Sequence, residues 1–291
     1  MSSLTHPADT RVTYPLGKVA STGRTVHLEP TADGQTIVVL DVTAAHPVDS
    51  AWPDQGADRG SLTVEGRTLP ITDAVVCATD GSAFFVGSDI PVKKGAEGWS
   101  FLVGHVVPTD AALRLGVQLT VAIDPAYRQA LSAGHTACHL ASLALNVALA
   151  EDWTKEVAAD GRGVANFDGE AIASSRIAEF GSTDVYRLGK SLKKRGFDKT
   201  RLLAEMDVVA ARVNAQLAEW LASGAAVDIR REGDTLTARR FWDCALPDGA
   251  ASIACGGTHV RSLAELAEVT VTLEASEDGT ELVMQTAAVP A

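Results

Sequence analysis

Gly134-His135-Thr136-Ala137-Cys138-His139-Leu140 leads into an apolar run, Leu140 to Ala150, that reads as helix. His135 and His139 are four residues apart, a spacing that stacks both imidazoles on one helical face, pointing the same way. Leu140, Leu143, Ala144 and Val147 supply the core-facing side, and Asn146 falls on roughly the ligand face, seven residues beyond His139. Cys138 is turned about a hundred degrees from His139 by helical geometry and reads as packing. Far downstream, Ala254-Cys255-Gly256-Gly257-Thr258-His259-Val260 offers a thiolate and a third imidazole. Gly256 and Gly257 would let the chain bend sharply enough for Cys255 and His259 to face one ion. Either stretch alone also suits plain packing, since cysteine is among the most buried residue types. Together they use three of the chain's seven histidines. Three imidazoles and one thiolate form a borderline-soft set that suits tetrahedral Zn2+ better than magnesium or calcium. The expected metal ligands are His135, His139, Cys255 and His259.

The pairing of His-Thr-Ala-Cys-His-Leu with a distant Cys-Gly-Gly-Thr-His-Val resembles the editing domain of alanyl-tRNA synthetase. It is closer to the free-standing alanyl-tRNA editing proteins, a family shared in part with threonyl-tRNA synthetase editing domains. Leu40-Asp41-Val42-Thr43-Ala44-Ala45-His46-Pro47 is similar to that family's Leu-Asp-x-Thr strand. Ile123-Asp124 with Arg128 is similar to its lead-in to the histidine helix. The family then implies a Gly-Gly-Gln loop and Asp-x-Gly. Here Val48 to Gly60 is longer and lacks the glycine pair; Asp58-Arg59-Gly60 fits the end, Trp52 falls near the glutamine's place, and Gln55 is displaced. The resemblance implies zinc-dependent hydrolysis of the ester joining a wrong amino acid to tRNA. It also implies that Thr43 lies near the pocket, able to bond a serine hydroxyl, and that Arg128 has a substrate phosphate within reach. Capping or a surface salt bridge is the plainer role for Arg128.

The chain has 291 residues, enough for two domains and a sizeable core. Hydrophobic content of 46% with 21% charged residues describes an ordinary globular protein. Residues 1–20 lack a basic start and an apolar run, and no stretch is long and apolar enough for a membrane helix, so no signal peptide or membrane contact is expected and cytoplasm is the expected location. Four cysteines do not suggest a disulfide framework. A net charge of −12 argues against indiscriminate nucleic-acid binding. One basic run stands against it: Lys190, Lys193, Lys194, Arg195, Lys199 and Arg201, opposed only by Asp198. Such a run serves either as a solvated face or as a phosphate-binding patch, with Lys193, Lys194 and Arg195 the expected substrate contacts. Arg230, Arg231, Arg239 and Arg240 make a second, weaker cluster.

Alternation and turn residues divide the chain. Residues 36–41, 61–65 and 74–77 read as strands, with Asp33-Gly34, Glu65-Gly66 and Asp80-Gly81 as turns. Val117 to Ile123 alternates like a strand and ends at Asp124-Pro125. Residues 151–200 read as irregular, and Thr200 to Ser223 as one amphipathic helix ended by Gly224. A hairpin follows around Glu232-Gly233-Asp234, and a second one turns at Glu277-Asp278-Gly279. The expected architecture is α+β: a small antiparallel β-barrel over 1–115, then a zinc-containing editing-type hydrolase domain over 116–291 with helices on an antiparallel sheet.

Three functions suit these residues. The first is a metal-dependent hydrolase that deacylates mischarged aminoacyl-tRNA, Ser- or Gly-tRNA(Ala), at its acceptor end. The second is a zinc-stabilised RNA-binding module without catalysis. The third is a zinc hydrolase of a small aminoacyl compound, which the acidic balance favours. Thr43, Gly256 and Gly257 are candidate catalytic groups, the glycine amides as donors to a tetrahedral oxyanion. No general base is evident.

Overall fold

The computed structural model describes residues 7–49 and 51–291. Its strands are β1 (Arg11–Val12), β2 (Ala20–Pro30), β3 (Gln35–Leu40), β4 (Val42–Thr43), β5 (Gly60–Val64), β6 (Arg67–Ile71), β7 (Asp73–Thr79), β8 (Phe84–Val86), β9 (Ser100–Pro108) and β10 (Gln118–Ile123). Helix α1 (Pro125–Ala148) follows, then α2 (Phe167–Ala171), β11 (Ile172–Ala178), β12 (Gly181–Arg187), α3 (Lys190–Arg195), α4 (Thr200–Ala204) and α5 (Met206–Ala222). The chain closes with β13 (Val227–Arg231), β14 (Arg240–Cys244), β15 (Ala251–Ala254), β16 (Leu266–Ala275) and β17 (Glu281–Pro290). The class is mixed α+β with mostly antiparallel sheets.

Two compact units divide the chain. One comprises residues 1–128, Arg231–Arg240 and Gly256–Thr258; the other comprises Gln129–Arg230, Phe241–Cys255 and His259–Ala291. In the first, eight strands form a sheet in the order β6-β5-β10-β2-β3-β9-β7-β8. The sheet curls. Strand β6 runs almost directly into β7, and Thr72 between them donates its N–H to the Val106 carbonyl of β9 at 2.9 Å. Alternating residues of these strands, among them Val38, Leu40, Leu62, Leu119 and Val121, fill the interior of the curl.

The second unit packs α1 and α5 with the antiparallel sheet β11-β12-β17-β16 and the small sheet β13-β14-β15. Its core takes Leu140, Leu143, Ala144 and Leu145 from α1 and Val209, Val213, Leu217 and Trp220 from α5. Helix α1 begins earlier than its apolar run suggests. Asp124 caps it, accepting the N–H groups of Ala126 and Tyr127 at 2.9 and 3.1 Å, with Pro125 at the first helical position. Asp124-Pro125 is therefore a helix start as well as a strand end. The stretch expected as irregular contains a hairpin, β11–β12, turning at Phe180, whose φ is +57°. Its residues are too polar for the alternation to show, because Ser182 and Asp184 occupy buried positions. Residues 200–223 form two helices, broken at Glu205 (φ −128°, ψ 36°). The turn between β13 and β14 is longer than three residues, and Arg231–Arg240 belongs to the first unit, where Val12 N–H bonds the Asp234 carbonyl at 2.8 Å.

Candidate metal centre

The four expected ligands meet in the second unit. Their donor atoms all lie within 4.8 Å of one another, with His135 buried and the other three half-buried. Cys255 Sγ is 3.2 Å from His259 Nε2 and 3.5 Å from His135 Nε2. Those separations match the edges of a tetrahedron built on bonds of about 2.0–2.3 Å. The imidazoles of His135 and His139 sit 4.9 Å apart, centroid to centroid, as their spacing on α1 requires. His139 Nε2 is buried without a hydrogen-bond partner, and burial pushes this ring's pKa down to about 4. A neutral imidazole with an orphaned nitrogen inside such a set is what a metal ligand needs. The residues present fit a metal ion.

Neighbouring groups hold these rings in place. Thr136, inside the quoted motif, has its hydroxyl 3.3 Å from His259 Nδ1 and accepts the Val260 N–H at 3.2 Å. An Nδ1–H donated to that oxygen leaves His259 Nε2 as the free lone pair facing the set. Trp242, fully buried on β14, stands 5.2 Å from the His139 ring and 6.2 Å from the His259 ring. Neither was read as functional from the sequence, although Thr136 lies one residue from a ligand.

Gly134 shows why α1 can seat its histidines. A Cβ there would meet the Ala178 carbonyl at 2.4 Å and Gly181 backbone atoms at 2.7 and 2.8 Å, so helix and hairpin turn touch through bare backbone. Gly256 gives a different result from the one expected. It has no positive φ and a Cβ would meet nothing nearer than 3.8 Å, so a side chain would fit there; the bend of the loop falls at Gly257. Cys138 faces away, with Sγ 3.5 Å from Asp184 Oδ1; burial and the Asp184 carboxylate raise its thiol pKa well above the usual range. It is packing, as read.

The remaining candidates fall elsewhere. Thr43 is fully buried, with its hydroxyl 2.8 Å from His105 Nε2 and accepting the Ala45 N–H at 3.0 Å. His105 Nδ1 in turn bonds the Val38 carbonyl at 2.8 Å. The hydroxyl is thus engaged within the first unit's core. Arg128 is also buried there: its Nε donates to Asp58 Oδ1 at 2.7 Å, and its Nη2 bonds Asp58 Oδ2 and the Ala44 carbonyl. It makes a buried ion pair instead of a surface one, and three of its five N–H donors are engaged in it and on Ala44. Gln55 closes on the Cys-Gly-Gly-Thr-His loop. Its amide donates to Thr258 Oγ1 and accepts the Thr258 N–H, both at 3.0 Å, whereas Trp52 is 46% exposed.

Lys193, Lys194 and Arg195 lie exposed on α3. Arg195 forms an ion pair with Glu170. The second arginine cluster disperses: Arg230 pairs with Asp243 at 2.9 Å, and Arg240 is buried with its guanidinium 5.4 Å from the centre of the Tyr14 ring. Among the described residues no helix is long and apolar enough to cross a membrane. No model of a known protein family matches the chain, and no curated protein matches it in sequence.

Proposed function

We propose that the chain is a zinc-dependent hydrolase of aminoacyl-tRNA esters, acting on tRNA(Ala) that carries serine or glycine. The observation that supports it most is the convergence of His135, His139, Cys255 and His259, with His139 Nε2 buried and unpartnered. Zinc, the ion favoured by this donor set, would supply Lewis acidity toward an ester carbonyl and make water a better nucleophile at neutral pH. The chain's own part is positional. Thr136 fixes the His259 ring, and Gln55 holds Thr258, so the loop between the two downstream ligands is tied at its last residue before His259. The Gly256 and Gly257 amides, between Cys255 and His259 in the chain, are the donors offered to a developing oxyanion. In this reading the curled sheet is the small antiparallel barrel and the second unit is the editing-type domain.

Deacylation of seryl- and glycyl-tRNA(Ala) by the purified protein, with and without a chelator, tests the proposal. Hydrolysis that stops on metal removal and returns with zinc is expected. An unchanged ester lifetime on every mischarged tRNA tried would sink it. A second reading, a zinc-stabilised RNA-binding module, draws on the same donor set, because four protein ligands describe a closed structural site. It predicts salt-dependent tRNA retention without hydrolysis.

A further inference from the structure

The basic run does something the sequence alone conceals: it divides. Helix α3 places Lys190 and Lys193 one turn apart, on the edge of a cavity of about 640 Å3 within the second unit. Lys199 enters the same cavity from beyond the helix. Its ammonium donates to the Leu188 and Gly279 carbonyls, which fixes its position and leaves one of three protons to give. Lys194 and Arg195 do not line the cavity, and Arg195 is neutralised by Glu170.

The lining has two characters. Leu188, Leu192 and Phe197 are buried and apolar, whereas the three lysines are cationic. Asp198 is the one carboxylate in the wall, and it is occupied by the Thr200 N–H and hydroxyl at 3.0 and 2.6 Å. Neither Lys190 nor Lys193 makes a salt bridge among the described residues, although the charge of Lys193 acts on the Asp198 carboxylate in the same wall. Three cations against one carboxylate beside an apolar floor, in a chain of net charge −12, mark a site for an anion carried on an apolar body. A volume of 640 Å3 lies within the range of small-ligand sites, about 300–1,000 Å3.

We infer that this cavity receives a nucleotide unit of an RNA strand, with its phosphate on Lys190, Lys193 and Lys199 and its base or ribose against Leu192 and Phe197. The inference rests on the proposed tRNA partner and names where that partner is held. It replaces Lys193, Lys194 and Arg195 with a different set of three.

Two double variants of equal charge change test it: Lys190→Gln with Lys193→Gln, and Lys194→Gln with Arg195→Gln. Each is titrated with uncharged tRNA(Ala) transcript across a range of salt, after melting curves and zinc content confirm the fold. The first pair should weaken binding and make the slope of log affinity against log salt shallower by about 1, the value for one lost phosphate contact. The second pair should leave the slope within experimental error of the parent. Equal losses from both pairs would reduce the effect to diffuse charge and overturn the assignment, as would no loss from either. A mixture of nucleoside monophosphates serves as competitor: if the first pair abolishes their binding but leaves tRNA affinity unchanged, the cavity takes a free nucleotide and the RNA assignment falls. Hydrolysis is read separately. A protein that binds tRNA through Lys190 and Lys193 but cleaves no ester would end the hydrolase reading and leave this one standing.

Discussion

His139 brings a buried, unpartnered Nε2 to a set of donors within 4.8 Å of one another, so its replacement should be felt first as metal loss. The isolated protein is expected to hold about one zinc per chain, and His139→Ala or Cys255→Ala should remove it. Elemental analysis decides: full zinc in the Cys255→Ala protein would mean the ligand set is wrong. Thr136→Val keeps the shape of the side chain but strips the oxygen facing His259 Nδ1 at 3.3 Å. Loss of such a support lowers metal affinity roughly 10–100-fold, measurable by competition with a chromophoric chelator; unchanged affinity would return Thr136 to simple packing. Thr43 calls for a different expectation. Its hydroxyl is spent on His105 Nε2 and the Ala45 N–H, both buried, so Thr43→Val should cost about 1–3 kcal/mol of stability. Denaturant midpoints together with seryl- and alanyl-tRNA deacylation would show it. A selective loss on seryl-tRNA with stability intact would instead give the hydroxyl to the substrate.

At the scale of elements, the histidine helix is fixed from both ends of its first half. Asp124 and Pro125 start it, and Gly134 lets it touch the turn between β11 and β12. Gly134→Ala would drive a methyl into the Ala178 carbonyl, which sits 2.4 Å from where that Cβ must go. Backbone on both sides gives the clash no flexible side chain to displace. The expected cost is about 1–3 kcal/mol or more, with reduced zinc retention as α1 shifts. A Gly134→Ala protein that melts with the parent and keeps its metal would show that helix and hairpin separate easily. The hairpin itself carries an acidic core: Asp184 accepts from Ser175 and Ser182, and Tyr186 donates to Asp168 at 3.0 Å. Burial raises the Asp168 pKa to about 6.

For the molecule as a whole, buried histidines set the response to acid. Desolvation lowers His46 and His105, both in the first unit, from 6.5 to about 4. Between those values the unfolded chain binds protons that the folded chain refuses. Their contribution to stability is therefore complete above pH 6.5 and is lost progressively as pH falls toward 4. Asp168 has the opposite sign, since a raised carboxyl pKa favours the folded state as pH drops from 6 toward 3.8, but it belongs to the second unit. Urea midpoints should fall between pH 6.5 and 4, and His46→Phe should make that fall shallower. A midpoint independent of pH over this range would mean these rings protonate inside the fold.

Each half of the candidate metal centre was legible in the sequence by itself, because the four-residue spacings of His135 with His139 and of Cys255 with His259 are local; that the two pairs meet, 120 residues apart from His135 to Cys255, is a tertiary result. The sequence also determined the longer elements, wherever apolar periodicity met a turn or a cap, as at β3, β10 and β16–β17. Tertiary structure decided what depends on partners distant in the chain. Gln55 and Thr258 are 203 residues apart, and only folding shows that the two side chains bond. That the Thr43 hydroxyl bonds His105, 62 residues on, is likewise visible only in the fold. The hairpin β11–β12 was hidden because its buried positions hold Ser182 and Asp184, and burial of that carboxylate is tolerable only where Ser175, Ser182 and Cys138 donate to it. The basic run shows the same limit: composition counted its charges, but the turn of α3 and the place of Glu170 decided which of them line the cavity and which is paired.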